Sequence, residues 1–496
     1  MHTENKTNTV SLSVSTWVFM AFFMLSPICA AEKMDILFIA IDDMNDWTTV
    51  FDPDNPIQTP NLERLAARGA FFEQAYCASP ACNPSRTAVM TGLRPTTSGV
   101  YGQNYSWQKL LPDVVTLSQE FKKNGYATIG AGKIFHNGKS GPDRADNPSF
   151  DSFYKLKLHA NKPAVNYNGY ILGKNHKKEQ GPLWNTVFDW GVHDVAKQTD
   201  EYTVEYVNEV MAFHPKDKPL FLASGIYRPH LPFWAPQKTF ERYPFDQVRM
   251  PPMPDNDLED VPPLGVEMAH SARFIWENTT KKPEEDPGSL KKMVQSYQAA
   301  SDYADEMVGR LLDQLDATGR AENTIIILWS DHGYHLGDKT ACVKFTLWEK
   351  ANHVPFIIVA PGITKPGTRI DTPVGLIDIY PTLLELAGLP AKPNVDGQSL
   401  VPLLKDPQTK WERPALMNHG HGNHAVRSRD WRYIRYKDGS EELYDCKIDD
   451  PWNHSNLLAG EGRDNYTAVV AEHKKWLPKD EAPDLGPLHK GKKRKK

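Results

Sequence analysis

The chain has 496 residues, with 57 Lys and Arg against 62 Asp and Glu, a formal net charge of −5, and 40% hydrophobic residues. This balance excludes a disordered chain, a fibrous repeat and a multi-span membrane protein. The mild acidity gives no reason to expect nucleic acid as a partner.

In chain order, the uncharged run from Val10 to Leu25 comes first, followed by Cys29-Ala30-Ala31. It predicts a signal peptide over residues 1–31 and an exported mature chain, periplasmic or secreted. The run is short and diluted by Ser11, Ser13 and Ser15, which argues against a stable membrane span. Removing it leaves Cys77, Cys82, Cys342 and Cys446. Their pairing is open, since a Cys77–Cys342 bridge and buried free thiols both fit the sequence.

Met34–Ile41 reads as a buried strand that ends in Asp42-Asp43. Helices are predicted over Asn61–Gly69 and Val115–Gly125, and a strand over Ala127–Gly130. A helix over Asp200–Phe213 leads to a strand over Pro219–Ile226, which ends in Tyr227-Arg228-Pro229-His230. Tyr243–Pro287 is dense in Pro, Asp and Glu and reads as a long loop. An amphipathic helix over Leu290–Ala317 precedes a strand over Asn323–Trp329, which ends in Ser330-Asp331-His332-Gly333. A strand over Val354–Ala360 and a helix over Leu376–Gly388 follow. After about Trp411 the pattern changes to short antiparallel strands around Val426, Trp431–Tyr436 and Glu442–Tyr444, then a helix over Asn465–Trp476.

The alternation implies an α/β fold, with a large mixed, mostly parallel sheet sandwiched by helices. A smaller C-terminal domain would carry a short antiparallel sheet. The expected division is a catalytic domain over 32–410, a C-terminal subdomain over 411–488 and a basic tail over 489–496. The tail reads as a solvated charge block or as a tether for a polyanion. Polar clusters recur at the carboxyl ends of strands, where open α/β sheets bind ligands.

The segment Cys82-Asn83-Pro84-Ser85-Arg86, followed by Thr91-Gly92-Leu93-Arg94-Pro95, resembles the core motif of the sulfatase family. Motif matches need context. Here Asp42-Asp43 follow the first strand and Asp331-His332 a late one. Gly132-Lys133-Ile134-Phe135-His136, Tyr227-Arg228-Pro229-His230-Leu231-Pro232-Phe233 and Lys344 fill further family-like places. Taken singly, Asp42-Asp43 also fit a cap, Lys133 and Lys344 surface lysines, and His136 and His230 polar loop residues. The resemblance is closest to the iduronate-2-sulfatase-like branch, which shares these patterns and an Asn at the place of Asn104.

The resemblance implies an alkaline-phosphatase-like fold. It also implies that a formylglycine-generating maturation enzyme oxidises Cys82 to formylglycine (3-oxoalanine), whose hydrate is the nucleophile. One Ca²⁺ would be held by Asp42, Asp43, Asp331, His332 and the modified Cys82. His332 would either bind the ion or hydrogen-bond beside it. Lys133, Lys344 and Arg86 would neutralise sulfate oxygens, with Arg86 also holding the hydrate. His230 is the first choice for protonating the leaving oxygen, with Lys344 second, and His136 would accept the proton of the second hydroxyl. In sulfatases the smaller domain lines the pocket, so His421, His424 and Arg427 are expected beside Asn104 as substrate contacts, unless they belong to a polar loop. The expected activity is release of sulfate from sulfated carbohydrate, first from algal polymers such as ulvan or carrageenan. Glycosaminoglycan uronate 2-O-sulfate is the second substrate. The alternatives are a phosphonate or phosphate ester hydrolase of the same fold and a catalytically silent binder of sulfated glycans.

Overall fold

The computed structural model describes residues 1, 2, 4, 33–136, 149–154, 190–192, 197–280, 288–447 and 452–487. Most of the predicted signal peptide and all of the 489–496 tail lie outside these residues. The central sheet contains β1 (Asp35–Asp42), β2 (Ala70–Phe72), β3 (Ala127–Gly132), β4 (Ser152–Tyr154), β5 (Leu220–Pro229), β6 (Thr324–Ser330), β7 (Phe356–Val359) and β8 (Thr368–Ile370). Their spatial order is β8-β2-β7-β6-β1-β5-β3-β4. β1 runs parallel to both neighbours, with Ile36 opposite Phe221 and Ile325, while β7 is antiparallel to β6 and β2.

Burial on both faces explains why the central strands read as continuous apolar runs. Successive residues of β1 serve opposite layers. Ile36, Phe38 and Ala40 pack with Phe121, Ile379 and Leu383, whereas Leu37, Ile39 and Ile41 pack with Val207, Met211, Val308 and Leu311. The helices α1 (Cys82–Thr91), α2 (Thr199–Phe213) and α3 (Ser289–Ala317) flank this sheet. A separate antiparallel sheet is formed by β9 (Ala415–Asn418), β10 (His424–Arg427), β11 (Trp431–Arg435) and β12 (Glu441–Asp445). No helix of the described residues is long and apolar enough to cross a membrane.

One expectation is corrected. The predicted loop over Tyr243–Pro287 contains helices at Pro263–Ala269 and Arg273–Thr280. Its prolines mislead because Pro263 sits in the first helical turn, where a missing N–H costs nothing. Ala269, Ala272 and Ile275 are then buried.

A buried ion cluster fastens the small sheet to the rest. Glu349 accepts from Tyr76 Oη at 2.6 Å, Arg432 Nε at 2.8 Å and Arg427 Nε at 3.4 Å. Burial would raise its pKa, but Arg432 and Arg427 outweigh that and hold the carboxyl well below the usual range. Glu349→Gln, which strands two buried guanidiniums, is expected to cost about 3–5 kcal/mol at pH 7. A depressed carboxyl stabilises the fold above its unfolded pKa of about 4.3, and that contribution is lost as pH falls. Urea unfolding should therefore show the gap between wild type and variant narrowing below pH 4.3 or so.

Candidate active site

Three segments meet at the carboxyl ends of β1 and β6. Asp43 follows β1 with φ at 69°, a conformation that Asp tolerates better than most residues. Its N–H donates to Asp331 Oδ1 at 3.0 Å, and Tyr297 Oη donates to its carbonyl at 2.6 Å. Asp331 and His332 directly follow β6. Cys82 is the first residue of α1, at the end where the helix dipole favours a thiolate. Ligand atoms of Asp42, Asp43, Cys82, Asp331 and His332 all lie within 4.8 Å of one another. These three buried carboxylates form an oxygen-rich set of the kind a hard divalent cation takes.

Cations surround the thiol. His332 Nε2 lies 3.2 Å from Cys82 Sγ, Lys344 Nζ 3.4 Å and Lys133 Nζ 3.6 Å. Burial alone would raise the Cys82 pKa, yet Lys133, Lys344 and His332 drive it well below its ordinary value. Lys344 also donates to both Asp43 oxygens, at 2.6 and 2.8 Å, and Lys133 donates to Asp42. Burial raises the Asp331 carboxyl to about 7 against the pull of Arg86. Burial disfavours charge on His332, but Asp331 overrides it and raises the imidazole to about 9.

The remaining expected residues divide into groups. Arg86 is fully buried, and its N–H groups go to Asp331 Oδ2 at 2.7 Å, Asp42 Oδ1 at 3.1 Å and the carbonyls of Ile41, Lys133 and Ile134. It therefore clamps two carboxylates and has no N–H left to neutralise a sulfate. His136 Nδ1 is buried without a partner among the described residues, and burial pushes its imidazole below the ordinary value. His230 turns Nδ1 to the Leu231 carbonyl at 2.6 Å, leaving Nε2 for a ligand. Asn104 is exposed, in a loop tied to α1 by Gln103, which accepts from the Asn83 N–H at 2.8 Å. His421 is exposed, edge-on to Tyr101 at 5.4 Å.

His424 and Arg427 are not brought to the cluster. His424 Nε2 pairs with Glu481 Oε1 at 2.8 Å, and the residue lines a separate cavity. Arg427 is 6% exposed and spends its guanidinium on Glu349 and on the Ser428 and Arg429 carbonyls. The sequence could not show that partner, which lies far away in the chain. Cys77 and Cys342 are both buried and not joined by a disulfide, so no Cys77–Cys342 bridge forms.

Sequence reasoning missed the device that holds the Lys344 loop. His335 Nε2 meets Thr346 Oγ1 at 2.6 Å, and its Nδ1 meets the Asp338 carboxylate. The His335 N–H donates to the Val343 carbonyl at 2.9 Å. Between these anchors Phe345 is held at φ 80°. The spacing of His335 and Asp338 was visible in the sequence, but nothing marked Thr346.

Known proteins are similar to this chain over most of its length. A family model described as Sulfatase matches residues 34–389, and one described as N-sulphoglucosamine sulphohydrolase, C-terminal, matches residues 337–482. The chain is 38% identical over 464 residues to a protein named Sulfatase from Formosa agariphila, covering 91% of this chain and 87% of that one. It is 29% identical to mouse iduronate 2-sulfatase (74% and 70% covered) and 28% identical to an ulvan-active sulfatase of Formosa agariphila (86% and 77% covered). A protein solved in complex with its substrate D-glucosamine-2-N,6-O-disulfate shares the fold, with a TM-score of 0.69 at 19% identity over 89% of this chain and 96% of that one.

Proposed function

The chain belongs to the sulfatase family and is a sulfuric ester hydrolase; from that premise we propose that its substrate is a sulfated carbohydrate, foremost an algal polysaccharide or oligosaccharide of the ulvan type. Similarity to an ulvan-active sulfatase supports that choice, and similarity to iduronate 2-sulfatase makes uronate 2-O-sulfate the second candidate. The observation that carries the reading is the Cys82 thiol, set among two lysines, an imidazole and three carboxylates.

In this reading Asp42, Asp43, Asp331 and His332, with residue 82, hold Ca²⁺, whose chemistry is to polarise a sulfate oxygen and acidify a hydroxyl. Oxidation of Cys82 to formylglycine by a maturation enzyme supplies a hydrated aldehyde, with one hydroxyl to attack sulfur and a second through which the aldehyde is restored. Lys133 and Lys344 present ammonium groups to the sulfate oxygens in a water-poor site. Arg86 fixes the directions of Asp42 and Asp331. His230 Nε2 protonates the departing sugar oxygen, and His136, kept neutral by burial, accepts a proton at residue 82. The run from Val10 to Leu25 supports export.

The test is direct competition of a sulfated oligosaccharide against the matching phosphate ester. Faster release of sulfate is expected. Preferential turnover of the phosphate ester would overturn the reading, and binding of both without turnover would favour a glycan-binding protein.

A further inference from the structure

We propose that the cavity between the end of α1 and strands β9 and β10 is a second carbohydrate site, which holds an anionic sugar unit through its sulfate or carboxylate. The proposal rests on the reading that the substrate is a sulfated glycan. The cavity has a volume of about 180 Å³ and is lined by Arg94, Thr96, Asn418, His424, Trp476 and Asp480, among others. At ~30 Å³ per water this is room for about six waters, a space suited to one sugar ring rather than a stretch of polymer. No member of the Cys82 cluster lines it. Cys82 opens α1 and Arg94 lies just past its other end, so a ten-residue helix of roughly 15 Å separates them.

Two buried polar groups in this lining lack partners. Arg94 Nε has none among the described residues, and neither has Asn418 Oδ1. The acids whose charge acts on the Arg94 guanidinium, Asp378 and Asp396, each hold another group, and Arg413 adds a like charge. Asp378 Oδ1 pairs with Arg413 at 3.2 Å, and Asp396 Oδ2 accepts from the Arg94 backbone N–H at 2.7 Å. A buried Nε–H without an acceptor is costly, and two oxygens of a carboxylate or sulfate group answer the guanidinium's fork of N–H donors. The rest of the lining suits a sugar rather than a bare ion. Trp476 is half-buried in the lining and brings apolar ring surface, and Asn418 Oδ1 is a hydroxyl acceptor, while His424 is held at both ring nitrogens by Glu481 and the Asn418 amide and shapes the wall. Asp480 stands exposed at the rim. It disfavours a free anion and accepts from sugar hydroxyls.

The test is calorimetric titration of the full Cys82→Ala chain with a disaccharide that carries one sulfate ester and one uronate carboxylate. Arg94→Gln is expected to remove one binding event per chain, or to weaken it about tenfold or more. Trp476→Leu should weaken the same event, and covers the case in which Arg94→Gln fails to fold. Turnover of a small aryl sulfate by otherwise wild-type protein should be unchanged by either substitution. Unaltered binding in both variants would overturn the proposal. So would inorganic sulfate binding as tightly as the disaccharide, which would assign the cavity to a free anion. Binding is read without turnover, so an inactive protein would sink the catalytic reading and leave this result standing.

Discussion

Cys82→Ala is expected to abolish sulfate release, on the order of 10⁴-fold or more, because the proposed mechanism places the nucleophile on residue 82. The fold should survive. Cys82 is fully buried but small, and Arg86, not the thiol, joins Asp42 to Asp331. Cys82→Ser separates two forms of the mechanism. A serine keeps one hydroxyl but lacks the second, through which an aldehyde hydrate expels sulfate, so it should become trapped after a single event. Peptide mass spectrometry of protein made with a maturation enzyme should show residue 82 lighter by about 18 Da, the change from thiol to aldehyde. Full turnover by protein that carries only unmodified Cys82 would overturn the formylglycine mechanism. Full turnover by Cys82→Ala would overturn the site.

The parts of this site that were legible in the sequence share a physical cause. Asp42-Asp43 and Asp331-His332 each end an apolar run, so a parallel sheet must bring them to one edge. Lys133 follows β3 and His230 follows β5 for the same reason. The errors arose where a side chain's partner is distant in the chain. Arg427 reads as a free cation until Glu349 is placed against it. Arg86 reads as a sulfate ligand until its N–H groups are seen to be spent on carboxylates and carbonyls. His335 and Thr346 are eleven residues apart and meet only because the loop between them folds back. The helix at Pro263–Ala269 was hidden by prolines that its first turn accommodates.

Lys344→Ala is expected to lower kcat/KM by about 10²–10⁴-fold, chiefly through kcat, and the choice of substrate shows why. Its ammonium lies 3.4 Å from Cys82 Sγ and grips both oxygens of Asp43. Burial disfavours that charge, but Asp43 outweighs burial and holds the pKa above the ordinary lysine value. A group that grips its proton so firmly is a poor acid near neutral pH. It is suited instead to charge on the sulfate oxygens, which every sulfate ester develops. Lys344→Ala should therefore impair a sugar sulfate and an aryl sulfate to similar extents. His230→Gln should behave otherwise, with a large loss on the sugar alkoxide and a small one on an aryl group that leaves without a proton. Because His230 gives its Nδ1 to a backbone carbonyl, Gln keeps a polar group in place without an acid on the ligand side. If Lys344→Ala spares the aryl sulfate while the sugar sulfate fails, Lys344 is the acid and His230 only positions the substrate. Equal losses assign the proton to His230 and the sulfate charge to Lys344.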